Sequence, residues 1–146
     1  MFNFEKEFVG KKENIPDILD FIVTFAKEHA FPENFTNKIL VVGDELFSNI
    51  IKYGYENSGG PIIVKLSFNE EISEFILTVI DQAKEFNQLA VNNEVGNGLR
   101  IGGLGIFIVK QIMDETSYER DDNRNILVLK KKFWLFKALR KRKAVA

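Results

Sequence analysis

Residues 62–81 read IIVKLSFNEEISEFILTVID. Ile62 to Phe68 and Phe75 to Ile80 are rich in β-branched and aromatic residues, and the polar Asn69-Glu70-Glu71 lies between them. That composition predicts an antiparallel hairpin whose second strand ends on an acid, Asp81.

The flanks extend the pattern. Phe2, Phe4 and Phe8 alternate with Asn3, Glu5 and Glu7, predicting a half-buried strand that stops at Gly10. Ser117 to Arg120 and Asn125 to Lys132, joined by the turn-prone Asp121-Asp122-Asn123, predict a closing hairpin. Between the strands lie helical spacings. Ile15, Ile18, Leu19, Ile22, Val23 and Ala26 form one stripe, with Asn14 in the capping position, Pro16 and Asp17 in the first turn, and Phe31-Pro32 as the stop. Ile39, Val42, Leu46, Ile50 and Tyr53 form a second, with Thr36 as its predicted cap and Gly54 as a left-handed terminus. Leu104 to Met113 resumes the helical period after a connection from Gln82 to Gly103, a length that in a compact domain predicts a functional lid. Helices and strands are segregated without regular βαβ alternation. The expected class is α+β, a two-layer sandwich with helices on one face of a mostly antiparallel sheet.

Composition removes several chemistries. The 146 residues contain no Cys and a single His, His29, which excludes disulfides, thiolate metal sites and a histidine zinc cluster and leaves one imidazole for any Ser-His-Asp arrangement. Met1 to Lys12 alternates apolar and charged residues, unlike a signal peptide, and no apolar run approaches the roughly 20 residues that span a bilayer. A soluble cytoplasmic protein is the expectation. Residues 130–146 carry eight Lys and Arg and no acid, leaving twelve basic against the 21 acidic residues and a formal charge of −9 on residues 1–129. The expected organisation is a domain over residues 1–132 and a basic, aromatic tail over 133–146. The tail, FWLFKALRKRK at 133–143, fits an acidic protein surface, anionic lipid, or simple packing of its aromatics on the sheet; with so acidic a body, direct nucleic-acid binding is not expected.

Three places can carry chemistry. Glu45 and Asn49 stand one turn apart on a helix face, putting a carboxylate beside an amide oxygen. Mg²⁺ takes such hard oxygen ligands, and a carboxylate can accept a hydroxyl proton, although the polar flank of any amphipathic helix has the same look. Asp81 ends an apolar strand, where it can accept from the amine of adenine or merely open a turn. Gly102-Gly103-Leu104-Gly105 leads into a helix, where free amides and the dipole favour phosphate. Gly105 inside the helical pattern costs about 1 kcal/mol relative to Ala, which asks for a reason. Two familiar nucleotide loops are absent: Gly10-Lys11 lacks the rest of a Walker A sequence, and GNGLRI at 96–101 has Ile where a Rossmann fingerprint needs Gly.

In this order, Glu45-x-x-x-Asn49, Asp81, a lid and Gly103-Leu104-Gly105 resemble the N, G1 and G2 boxes of GHKL (Bergerat-fold) ATPases. VGDELFSNIIKYGY at 42–55 and GGLGIFIVK at 102–110 resemble, within that superfamily, the serine/threonine kinases that act as anti-sigma factors. The resemblance spans roughly residues 3–132. It implies ATP and Mg²⁺ as cofactors, Asn49 as the Mg²⁺ ligand, Asp81 as the adenine acceptor, Gly103, Leu104 and Gly105 around the phosphates, and Glu45 as the catalytic base. It further implies that Ala83 lies in the G1 box. Arg100, beside the glycines, can touch the γ-phosphate or stand as a solvated lid arginine. The implied substrate is a Ser or Thr of a STAS-domain anti-sigma antagonist, the implied second partner a sigma factor, and homodimers are frequent in the family. A non-catalytic ATP-binding regulator that only sequesters its partner is the alternative. A two-component histidine kinase is disfavoured, because His29 lies within the domain and not on a dimerisation helix. The sequence departs from the family at Ala83, where Gly is usual, at Tyr53, often His, and from Phe133 onward.

Overall fold

The structure, a computed structural model, describes residues 1–90 and 103–133. The chain runs β1 (Phe2–Val9), α1 (Ile15–Glu28), α2 (Glu33–Asn49), β2 (Pro61–Asn69), β3 (Glu74–Asp81), α3 (Gly103–Ile112), β4 (Glu115–Asp121) and β5 (Arg124–Lys132). The strands form one sheet in the order β1-β2-β3-β5-β4, with every neighbouring pair antiparallel. Among the described residues three helices pack against it, so the expected α+β two-layer class is what is found.

Both predicted hairpins are present. In the first, Ile62 pairs with Asp81 and Phe68 with Phe75, and β5 continues the same rows, Asp81 opposite Asn125 and Leu77 opposite Leu129. The strand period of two therefore puts Ile62, Val64, Leu66, Phe68, Phe75, Leu77, Val79, Leu127 and Leu129 in one buried layer. Against it lie Ile18, Ile22 and Phe25 of α1, Phe35, Ile39, Val42, Leu46 and Phe47 of α2, and Ile106 and Val109 of α3. Phe133, just past β5, is buried too. Its ring meets those of Phe31, Phe35 and Phe68 at centroid separations of 4.4, 3.9 and 5.2 Å. The rest of the basic tail lies outside the described residues.

Helix ends differ from the sequence expectations in three places. Asn14 does not cap α1, because a short 3₁₀ turn at Lys12–Asn14 already gives it helical angles, and its Nδ2 donates instead to the Val9 carbonyl at 2.9 Å. α2 starts at Glu33 and not after Thr36: Pro32, with φ −57° and ψ 141°, launches the helix, and the Thr36 hydroxyl donates back to its carbonyl. Gly54 is not a left-handed terminus. α2 runs on into a π-helical turn, Ile50–Gly54, and positive φ falls later, on Glu56 (52°) and Asn57 (64°). Gly54 has a steric reason instead: a Cβ there would come within 3.0 Å of the Ala83 Cβ.

Candidate functional site

The site grows from the C-terminal half of α2. Helical spacing stacks Glu45 and Asn49 one turn apart, and the Asn49 Nδ2 donates to Glu45 Oε1 at 3.0 Å. Glu45 is half-buried, whereas Asn49 is only 5% exposed, so the pair reaches inward from the flank of the apolar stripe. Directly after Asn49 the backbone widens into the π turn, a distortion frequent at functional positions.

α3 closes on this pair from above. A Cβ built on Gly105 would overlap the Cδ and both oxygens of Glu45, so only glycine lets the first turn of α3 pass over that carboxylate. This is the reason that the helix-interior glycine demanded. The amides at the start of a helix have no intrahelical acceptors, and Gly103, Leu104 and Gly105 supply the first three residues of α3. Leu104 turns its side chain outward, 68% exposed. Arg100 lies outside the described residues.

At the end of β3, Asp81 is 3% exposed. Its Oδ1 accepts from the Ala83 amide and from Asn125 Nδ2, each at 2.9 Å. Burial pushes the Asp81 carboxyl above its ordinary range, and the Asn125 and Ala83 hydrogen bonds and the Arg120 charge offset part of that rise. No donor among the described residues reaches Oδ2. The same holds for Asn49 Oδ1. Neither oxygen is sealed away, since Ser73 Oγ is the only fully buried side-chain polar atom without a partner among the described residues. Two acceptors, one on β3 and one on α2, are thus left open.

Asn125 belongs to none of the sequence motifs, yet it is 2% exposed and bonds directly to Asp81. It stands opposite Asp81 on β5, and its Nδ2 also donates to the Lys84 carbonyl at 2.9 Å. Its Oδ1 accepts from Tyr118 Oη, Arg120 and the Phe86 amide at 2.6, 3.1 and 3.3 Å. Arg120 donates as well to the Ala83 carbonyl at 2.9 Å. Tyr55 Oη accepts from the Gln82 amide at 2.8 Å and donates to the Pro61 carbonyl at 2.6 Å, and burial raises its phenol above the usual value. The backbone after Asp81 is therefore fixed on both sides. Ala83 keeps a negative φ, so nothing in its conformation requires glycine, and its methyl group is accommodated by Gly54.

These bonds also shorten the expected lid. Residues 82–90 are tied down by Asn125, Arg120 and Tyr55, and they end in a 3₁₀ turn, Gln88–Ala90, with Gln88 and Leu89 buried. Burial is tolerated there because the polar groups are paired. Residues 91–102 are not described.

The donor set suits a nucleotide. No group of three or more His, Cys, Asp or Glu among the described residues could hold a metal alone. Mg²⁺ needs no such group when phosphates complete its octahedron, and one amide oxygen then suffices from the protein. Asp81 Oδ2 suits an exocyclic amine, and the glycine-opened turn of α3 suits a polyanion.

Comparisons with known proteins identify the family and the fold. The profile of the histidine kinase-like ATPase domain matches residues 8–131. The serine-protein kinase RsbW of Staphylococcus epidermidis is 24% identical over 94 residues, covering 59% of this chain. The chain spans 59% of the length of that curated relative. Among solved structures, a chain of the SiaB-SiaC complex from Pseudomonas aeruginosa matches with a TM-score of 0.57 at 16% identity, over 88% of this chain and 89% of that one. The second likeness concerns the fold. Among the described residues, no helix is long and apolar enough to cross a membrane.

Proposed function

Because the chain belongs to the histidine kinase-like ATPase domain family, we propose that it is an ATP-dependent serine/threonine protein kinase. Its substrate is a STAS-domain anti-sigma antagonist, and by partner switching it sequesters a sigma factor in the cytoplasm. The observation that carries this reading is the convergence at one place of Glu45 and the open Asn49 Oδ1 on α2, with Gly105 of α3 lying over Glu45.

Each residue has a task. Asp81 Oδ2 accepts from the adenine amine, while Asn125 and the Ala83 amide hold the other oxygen in place. Asn49 Oδ1 would hold Mg²⁺, and the first-turn amides of α3 would bind phosphate oxygens. Mg²⁺, when bound, neutralises charge on the transferring group. Glu45 accepts the proton of the substrate hydroxyl as its oxygen bonds to the γ-phosphorus and the bond to the bridging oxygen breaks, releasing ADP. Positioning and charge neutralisation carry most of such a reaction, consistent with so few reactive side chains.

Two measurements test the proposal. Calorimetric titration should show Mg-ATP binding that GTP does not reproduce and that Asp81→Asn abolishes. Glu45→Gln should retain ATP affinity and lose phosphate transfer to the cognate antagonist; full activity in that variant sinks the base assignment. ATP binding without transfer to any antagonist would leave a sequestering regulator, the reading that Ala83 alone favoured.

A further inference from the structure

Gln88 belongs to none of the sequence motifs, yet it is 1% exposed and touches the centre of the site. We infer that Gln88 is a positioning residue that fixes the orientation of the Asn49 amide, so that Oδ1 and not Nδ2 faces a nucleotide-bound Mg²⁺.

An asparagine amide is nearly symmetric in shape, and only its hydrogen-bond partners decide which end points where. Here the decision comes from two groups that cannot donate. The Leu46 main-chain carbonyl accepts from Gln88 Nε2 at 3.3 Å, which turns Gln88 Oε1 toward α2. That oxygen accepts from Asn49 Nδ2 at 3.0 Å, while the Glu45 carboxylate accepts from the same nitrogen at 3.0 Å. Both protons of the Asn49 amide are then committed. Rotating the amide by 180° would set its oxygen against Gln88 Oε1 and Glu45 Oε1 at once, three acceptors facing one another without a proton between them. The carbonyl of Leu46 thus determines, through Gln88, which atom of Asn49 is offered as a ligand.

Glu45 alone does not secure this. It is half-buried, and its carboxylate must be free to move if it is to meet a substrate hydroxyl. Gln88 is held more firmly: Leu89 beside it is buried, and Asn87 closes the 3₁₀ turn through its Oδ1 to the Leu89 amide at 3.1 Å. The task of keeping the amide in place while Glu45 works falls to the residue that does not take part in the chemistry. Groups that orient a metal ligand in this way commonly change metal affinity by about 10- to 100-fold when removed.

The inference rests on the proposed role of Asn49, so its test separates the two. First, without nucleotide, the side-chain amide of ¹⁵N-labelled protein is followed by NMR. In the wild type both Asn49 Nδ2 protons should exchange slowly, and Gln88→Met, which keeps the bulk and loses both hydrogen bonds, should release one of them. Second, ATP binding is titrated in EDTA and in Mg²⁺. Gln88→Met should match the wild type in EDTA and lose about tenfold or more of the affinity that Mg²⁺ adds. Phe75→Leu, a core substitution that leaves all three side chains in place, should retain the Mg²⁺ increment despite a similar loss of thermal stability. A merely structural role would make both variants behave alike, and that result overturns the inference, as does rapid exchange of both Asn49 protons in the wild type. Protected protons in a protein whose ATP affinity ignores Mg²⁺ would instead uphold the orientation and refute the kinase reading.

Discussion

Gly105 lies directly over the carboxylate of Glu45, so close that a single added methyl group would occupy the volume of Cδ and both oxygens. The two effects of such a methyl on stability nearly cancel. Gly→Ala inside a helix gains about 1 kcal/mol, and displacing Glu45 loses its hydrogen bond to Asn49, also about 1 kcal/mol. Glu45 can swing away because the clash falls on the far end of a half-buried, flexible side chain. Gly105→Ala should therefore melt within a few degrees of the wild type in calorimetry. Phosphate transfer should fall by about 100-fold, the usual result of misplacing a reacting group by an ångström. Unfolding of the variant, or undiminished transfer, would show that this contact does not set the position of the base.

Asp81 gives stability and ligand affinity opposite pH dependences. Its folded-state pKa is raised by burial. Between the ordinary carboxylate value and that raised value, the folded state holds a proton that the unfolded state has released. The contribution of Asp81 to stability is thus greatest below the ordinary value and declines as pH rises through the raised one. ATP affinity moves the other way, since the adenine amine needs the ionised form. Across about pH 4 to 7 the melting temperature of the wild type should fall with rising pH relative to that of Asp81→Asn, which lacks this titration, while calorimetry of the wild type shows ATP binding strengthening over the same interval. Parallel melting curves for the two proteins would refute the raised pKa.

Asn125 ties together the segment around Asp81, the proposed adenine end, through contacts with Asp81, Lys84, Tyr118, Arg120 and the Phe86 amide. Asn125→Ala leaves several of these groups buried and unpaired, each costing about 1–3 kcal/mol. Water entering the vacated space recovers part of that. A net loss of about 3 kcal/mol is expected in urea titrations. The Asp81 carboxyl should also titrate higher than in the wild type, since the Asn125 bond lowers it. A chemical-shift titration of the Asp81 carboxyl carbon would show this, and an unchanged midpoint would remove Asn125 from the site.

How much of this is legible in the sequence depends on the range of the interaction. Both hairpins follow from local composition, since β-branched and aromatic runs on either side of polar, turn-prone residues leave the chain little else to form. Glu45 and Asn49 are four apart on one helix, so their contact follows from helical geometry. Gln88 and Asn125 lie 39 and 44 residues from the partners they serve, and a lone amide in a polar loop or a closing strand carries no local signal of such a task. The position of Asn125 follows only from the β3–β5 pairing, which sets it opposite Asp81 and has no local signal in the sequence. The cap assignments at Asn14 and Thr36 failed for a local reason. Each has an extended or helical competitor just before it, a 3₁₀ turn in one case and Pro32 in the other. Gly54 was read for its torsional freedom, whereas its use is steric.

That steric use can be tested through Ala83. The Ala83 Cβ is fixed to the backbone and cannot rotate away, so the 3.0 Å approach of a Cβ at residue 54 must be relieved by moving main chain in the π turn or in the segment after Asp81. Such overpacking costs about 1–3 kcal/mol. Against it stands a gain of about 0.4–1 kcal/mol from restricting the unfolded chain, available because Gly54 does not need positive φ. Gly54→Ala should therefore destabilise the wild type. In an Ala83→Gly background the obstruction is gone and only the gain remains, so the same substitution should become neutral or stabilising. A double-mutant cycle in urea should give a coupling of about 1 kcal/mol or more, within the range of residues in direct contact. If the cycle closes additively, the two residues are not in contact, and the usual glycine of the G1 box is replaced here for some other reason. A coupled pair would mean that Gly54 and Ala83 exchange the small-residue requirement between them, with the adenine end of the site keeping its shape.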